Sequence, residues 1–217
     1  MQEEKSKLEE FFSEFRRITY KKRELIIRAD ETPSGLYFIY KGFVRLYSIS
    51  ESGQELTLII FKPKDLFPIR WAVVNGSPYY CEAITSVEVA KAPRDKFLEF
   101  SEKNPEVLSE LLTKVLTRLG GLLERMEYSV FGNAYQKVAS ILVICAERFG
   151  REKDGEIVIR VPLTHKDLAN LVGLTRETTS VELKKLEKLG LCEKEGSRFL
   201  IKNLKKLKDE ANWYKFE

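Results

Sequence analysis

LTHKDLANLVGLTRETTSVELKKLEKLG, residues 163 to 190, decides how the rest of the chain is read. Its pattern is that of two short helices joined by a tight glycine turn. Thr164 is a capping residue with Asp167 three positions on, the spacing of a capping box, and Leu168, Ala169 and Val172 follow as one apolar face. Gly173 ends that helix, because glycine enters the left-handed conformation of a helix C-terminus without a Cβ clash. Thr175 then caps a second helix from Arg176 to Lys188, which turns Leu183, Leu186 and Leu189 inward. Arg176, Glu177, Thr178 and Ser180 are left on its exposed first turns.

A helix pair whose second member begins with exposed polar turns is suited to entering a DNA major groove. TRETTS at 175–180, after LANLVGL and before ELKKLEKLGL, is similar to the recognition segment of the Crp/Fnr family of bacterial transcription regulators. The family's usual form is T-R-E-T-V-S-R followed by an apolar residue and leucine. Here Thr179 replaces the valine, Val181 the second arginine and Glu182 a small core residue. The resemblance implies a DNA-binding set of Thr164, His165, Lys166, Thr175, Arg176, Glu177, Thr178, Ser180, Val181, Lys184 and Arg198. Within it Arg176 would pair bidentately with guanine, Glu177 would accept from a cytosine amine, and Thr175 and Ser180 would bond phosphates. Val181 offers only apolar contact, which suits a thymine methyl, and Glu182 is expected to turn toward Lys185 or Lys166.

Outside this stretch, composition sets the bounds. The chain has 217 residues, 43% hydrophobic and 32% charged, enough for two modest cores. No run of eighteen apolar residues occurs, and MQEEKSKLEEFF is acidic where a signal peptide is basic and then apolar, so a cytoplasmic protein with no membrane partner is expected. Cys81, Cys145 and Cys192 are odd in number and far apart, which disfavours a disulfide framework or a metal cluster and leaves buried thiols. The net charge is +4. Residues 1–132 balance at 20 Lys+Arg against 20 Asp+Glu, and residues 133–217 carry 17 against 13, so the surplus travels with the paired helices, where phosphates would lie.

The chain opens on an amphipathic helix with Leu8, Phe11, Phe12 and Phe15 at helical spacing. From about Ile18 to Pro93 short alternating runs follow, ELIIRA, LYFIYKG, FVRLYSIS, ELTLIIF, YYCEAIT and VEVAKAP, with glycine and proline turns between several of them. Such runs predict an antiparallel β-roll or jelly roll. Gly42 and the Ser52-Gly53 turn are similar to the family's effector domain, which is cyclic-nucleotide-binding-like.

Asn104-Pro105 marks a helix start. Leu108, Leu112, Val115, Leu119, Leu122 and Met126 then step by four and three, the seam of a coiled coil, and predict a homodimer; Leu111, Leu116 and Leu123 widen the apolar face. Gly120-Gly121 in this helix calls for a kink or a close helix approach. Phe131-Gly132-Asn133 breaks it, AYQKVASILVICAERFG is a further helix, and IVIRVPL a strand. LGLCEKE and RFLIKN read as the wing of a winged helix with Lys194 and Arg198 near its tip, and a closing helix carries Leu204, Leu207, Ala211 and Tyr214. The expected architecture is α+β: a β-roll over 1–103, a dimerisation helix over 104–132 and a winged helix-turn-helix over 133–217.

The roll's ligand is left open. Cyclic-nucleotide members of the family hold ribose with a glycine-glutamate pair and the cyclic phosphate with an arginine-serine pair. Here KDLFPIRWAVVNGSPYYCEAIT, residues 64–85, offers Pro68-Ile69 and Ser77-Pro78 at those places, so control by cyclic AMP is not expected. Arg70 is the nearby cation, and Trp71, Tyr79 and Tyr80 either line a pocket for an unknown small-molecule effector or fill the roll. A haem sensor needs an axial histidine in this domain and an iron–sulfur sensor four thiolates, whereas the single histidine is His165 and only Cys81 lies here; no cofactor is expected. A cupin-type metal enzyme fails on the same histidine count. A cyclic-nucleotide regulatory subunit of a kinase or channel would lack the winged helix. The reading is therefore a transcription regulator, not an enzyme, with double-stranded DNA and RNA polymerase as its partners.

Overall fold

The computed structural model describes residues 6–212 and divides into two compact units. The first takes the chain up to Ser48 together with Leu58–Arg118; the second takes Ile49–Thr57 together with the chain from Leu119 onward.

In the first unit, α1 (Lys7–Ser13) precedes β1 (Arg17–Tyr20), β2 (Leu25–Ile27), β3 (Leu36–Lys41), all but the last residue of β4 (Val44–Ile49), β5 (Glu55–Phe61) from Leu58 on, β6 (Leu66–Phe67), β7 (Tyr80–Ala83) and β8 (Val87–Ala92). They form two four-stranded sheets, β1-β8-β3-β6 and β2-β7-β4-β5, with antiparallel registers such as Phe38 opposite Ala90 and Leu46 opposite Cys81. β3 shows how the roll is held. Tyr37 and Ile39 bury against Phe67, Leu46, Cys81 and Val89, while Leu36 and Phe38 on the other face meet Phe12, Leu66 and Phe97. Alternating side chains on a strand with both faces covered give this near-continuous burial. Gly42 turns β3 into β4 at φ +87°, and a Cβ there would stand 2.3 Å from the Ser86 carbonyl oxygen, so both backbone conformation and space require glycine.

α2 (Arg94–Lys103) and the first part of α3 (Pro105–Phe131) complete this unit. α3 buries Val107, Leu111 and Arg118. Arg118 is 8% exposed; its Nη2 stands 2.7 Å from Asp65 Oδ1, and its guanidinium lies over the Phe61 ring. Asp65 Oδ2 also accepts from the Lys62 amide.

In the second unit the rest of α3 is followed by α4 (Ala134–Phe149), β9 (Gly150–Lys153), β10 (Glu156–Ile159), α5 (His165–Val172), α6 (Arg176–Lys188), β11 (Cys192–Glu195), β12 (Arg198–Ile201) and α7 (Leu204–Glu210). Asn133 caps α4 in a full capping box with Gln136, and this helix buries most of its length as the centre of the unit. The strands form one sheet, β11-β12-β10-β9.

Several expectations need correction. Leu189 does not turn inward: it caps α6 and is 58% exposed, so Leu183 and Leu186, at 0%, carry that face alone. Leu116 and Leu123 are exposed, and only Leu111 of the three that widen the α3 face packs inward. Gly120 and Gly121 lie within α3, and a Cβ at either would meet nothing within 4 Å among the described residues, so no close helix approach is made there within one chain. β1, β6, α2 and β9 were not read from the sequence. Tyr214 lies outside the described residues.

Candidate nucleic-acid interface

α5 and α6 are built by their caps. Thr164 Oγ1 accepts from the Asp167 amide at 3.1 Å, and Asp167 Oδ2 accepts in return from the Thr164 amide at 2.7 Å. Gly173 closes α5 at φ +68°, where an L side chain is strained. The Leu174 amide then donates to the Ala169 carbonyl, and two residues of turn lead to Thr175, whose hydroxyl accepts from the Thr178 amide at 3.1 Å. The turn aims both N-termini into one concavity of about 860 Å³, whose lining includes Thr164, His165, Lys166, Gly173, Thr175, Arg176, Glu177 and Lys194. Two helix N-termini with exposed cations beside them favour an anion.

Of the DNA-binding set, Thr178, Ser180, Val181, Lys184 and Arg198 are not in that lining. Val181 and Lys184 follow along the exposed face of α6, and Arg198 lies on the wing. Ser180 instead donates its hydroxyl to the Arg176 carbonyl at 2.8 Å and meets His165 Nδ1 at 2.8 Å, tying α6 to α5. Burial first, and then the positive charge of Lys194, hold the His165 pKa below its ordinary value; Arg176 and Lys184 act in the same direction and Glu187 opposes them.

The departures from the family motif are accommodated in the fold. Thr179 is 0% exposed, and its hydroxyl finds a partner in the Thr175 carbonyl at 2.9 Å, so a polar atom in the valine slot is satisfied. Glu182 is 8% exposed and is met by Lys185 Nζ at 2.7 Å, so the carboxylate is turned to a cation.

Sequence reading missed the tip of the hairpin between β4 and β5. Glu55 Oε2 accepts from Asn170 Nδ2 at 2.9 Å, Leu56 lies beside Gly173, and Gln54 and Glu55 join the lining of the concavity. Arg125 of α3 donates to the carbonyls of Thr57 and Leu171. The sequence E-S-G-Q signals only a turn; nothing in its spacing says what the turn touches.

Each of the four residues named for an effector has contacts of its own in the roll. Trp71 belongs to the core that holds Phe12 and Phe97, with the Arg94 guanidinium over its ring. Tyr79 packs against the core between the sheets, Tyr80 stacks on Tyr47 with centroids 5.2 Å apart, and Arg70 Nη1 donates to the Gly76 carbonyl at 3.4 Å. All three cysteines are buried, and burial pushes their thiols up, Cys145 and Cys192 to about 12.

Comparison with known proteins agrees with this geometry at both ends of the chain. A model of the Crp-like helix-turn-helix domain matches residues 136–210, and one of the cyclic nucleotide-binding domain matches residues 17–104. The chain belongs to the Crp/Fnr family of transcription regulators. This regulator is 28% identical over 194 residues to the transcriptional activatory protein AadR of Rhodopseudomonas palustris, covering 88% of this chain and 80% of that one. It is 26% identical over 196 residues to a CRP-like cAMP-activated global transcriptional regulator of Mycobacterium tuberculosis, covering 89% and 87%. Among solved structures, FixK2 of Bradyrhizobium japonicum shares the fold with a TM-score of 0.79 at 22% identity over 90% of this chain and 96% of that one. A CooA variant of Carboxydothermus hydrogenoformans matches with a TM-score of 0.76 at 26% identity, covering 95% and 92%. The chain is thus a DNA-binding transcription regulator of α+β fold, in a family of regulators and not of enzymes. No helix among the described residues is long and apolar enough to cross a membrane.

Proposed function

We propose that this regulator acts as a homodimer in the cytoplasm, reads a pseudo-palindromic operator with α6 and works with RNA polymerase, without control by cyclic AMP. The observation that carries the dimer is the bare seam of α3. Leu108, Leu112, Leu119 and Met126 are 48%, 59%, 48% and 65% exposed, an apolar stripe that a soluble helix covers with a partner. A second copy supplies the same heptad pattern in return. Two α6 helices held by that seam would lie about 34 Å apart and enter successive major grooves.

At the base edges, Arg176 reads guanine, Glu177 a cytosine amine and Val181 a thymine methyl, while Thr164, Lys166, Thr175, Thr178, Lys184 and Arg198 meet the backbone. Exposure of Arg176, Glu177, Val181 and Lys184 on one surface supports this.

Independence from cyclic AMP is supported by what fills the roll. Phe61, Phe67, Tyr37, Ile39 and Leu46 pack between the sheets. If another small-molecule effector acts here, Arg70, Trp71, Tyr79 and Tyr80 remain the place to look. For RNA polymerase the supporting feature is a groove of the first unit that includes Arg16, Arg17, Lys91 and Lys96, a cationic face suited to an acidic protein surface. Sedimentation at several concentrations, with and without a selected duplex, tests the dimer: a monomer in both states overturns it.

A further inference from the structure

The chain has a single histidine, His165, and two contacts fix its ring. Nδ1 lies 2.8 Å from Ser180 Oγ, the ring stacks on Phe199 with centroids 6.3 Å apart, and the residue lines the concavity between the two helix N-termini. The Ser180 hydroxyl also lies 2.8 Å from the Arg176 carbonyl oxygen. A carbonyl can only accept, so the one hydroxyl hydrogen goes there, and toward His165 the same oxygen must accept. Nδ1 therefore carries the ring hydrogen, and in the neutral imidazole Nε2 is a bare acceptor.

A bare acceptor repels a phosphate oxygen, whereas a protonated Nε2 gives it a charge-assisted hydrogen bond. The charges around the ring decide which form is present. α6 brings Arg176, Lys184 and Glu187, β11 brings Lys194, α5 itself Lys166 and Asp167, and the hairpin tip Glu55. Partial burial, and after it the cations Lys194, Arg176 and Lys184, push the ring pKa down in the free protein, against Glu187, and so favour the neutral ring. A DNA backbone laid on this surface reverses that balance, because its phosphates place negative charge where the cations now prevail.

We propose that His165 takes up one proton at Nε2 when DNA binds and thereby becomes a phosphate clasp whose strength is set by pH. The proposal rests on the DNA-binding reading of α5 and α6. The proton comes from solvent and no covalent bond between heavy atoms changes. The sign follows from linkage: the bound form holds more protons than the free form, so affinity rises as pH falls from above the bound pKa to below the free one, and is flat outside that window. Each unit by which DNA raises the pKa is worth about tenfold in affinity.

The test uses full-length protein and a duplex enriched from a random library. The ring resonance of the only histidine is titrated by NMR with and without the duplex, and affinity is measured across the same pH range for wild type, His165→Asn and His165→Arg. A ring pKa raised by the duplex is expected, together with a wild-type affinity that climbs toward acid pH by a further factor of about ten that His165→Asn lacks. His165→Arg, which is always charged, should bind tightly with no such climb. An unmoved ring pKa, or the same pH slope in wild type and His165→Asn, overturns the proposal even though DNA is bound. A protein that enriches no duplex at any pH overturns the DNA-binding reading itself, and the proposal with it.

Discussion

At the scale of single residues, the recognition face separates side chains that build α5 and α6 from side chains left free to read. Thr164, Thr175 and Thr179 spend their hydroxyls on helix backbone, and Glu182 is held by Lys185, so none of these four is available to a base edge in this conformation. Arg176 and Glu177 are exposed and, in the function proposed, are the two that meet polar base edges. Arg176→Ala should weaken binding to the selected duplex by about 1 to 3 kcal/mol and relax preference at one base pair, while Lys166→Ala should weaken all duplexes alike and lower the salt slope by about one. Titrations against duplexes changed one pair at a time check this; an unchanged profile in Arg176→Ala removes it from the reading set. Val181→Arg, which restores the family's second arginine, is expected to add a preference for guanine at one position of the half-site, read from the same panel. The capping boxes and the glycine turn were legible because they are local chemistry at fixed spacing. The side-chain partner of His165 was not, since fifteen positions separate it from Ser180.

Among the elements, α3 carries the largest consequences. Its buried positions, Val107, Leu111 and Arg118, fall on one side, and the heptad positions from Leu108 to Met126 are largely uncovered. Leu112→Glu with Leu119→Glu would bury unpaired carboxylates in the proposed seam and should give monomers by sedimentation, with operator affinity lost. A dimer that survives both changes would place the interface elsewhere. The Arg118–Asp65 pair is a separate matter: Asp65→Ala removes the carboxylate beside a nearly buried guanidinium and should lower stability by about 3 to 5 kcal/mol in chemical denaturation. The apolar repeat along α3 was readable because heptad spacing is periodic. That Arg118 lies inward on the same helix was not, because its partner Asp65 is brought there by the roll. The short β1 and β6 escaped the pattern because four and two residues give alternation too little length to register. α2 was passed over in a charged stretch whose buried residues are only Phe97 and Ser101.

For the molecule as a whole, the two family matches and the winged helix-turn-helix fix what kind of protein this is, and the filled roll bears on what it answers to. With apolar side chains packed between the sheets, cyclic AMP and cyclic GMP should leave both Tm and DNA affinity unchanged, since a ligand bound to the native state must raise stability by mass action. Saturable heat at micromolar nucleotide in calorimetry would show that the roll opens to admit one. Fold class and the order of the segments were plain from turn residues and periodicity. The contents of the roll were not, because whether three aromatics and a cation converge depends on strand register, which no spacing in the sequence specifies. The measurement that bears most directly on the central claim is selection of duplexes from a random library by the full-length protein. The account predicts enrichment of two inverted half-sites whose centres lie about 10 base pairs apart. Enrichment of a single asymmetric site, or of no sequence at all, would contradict it.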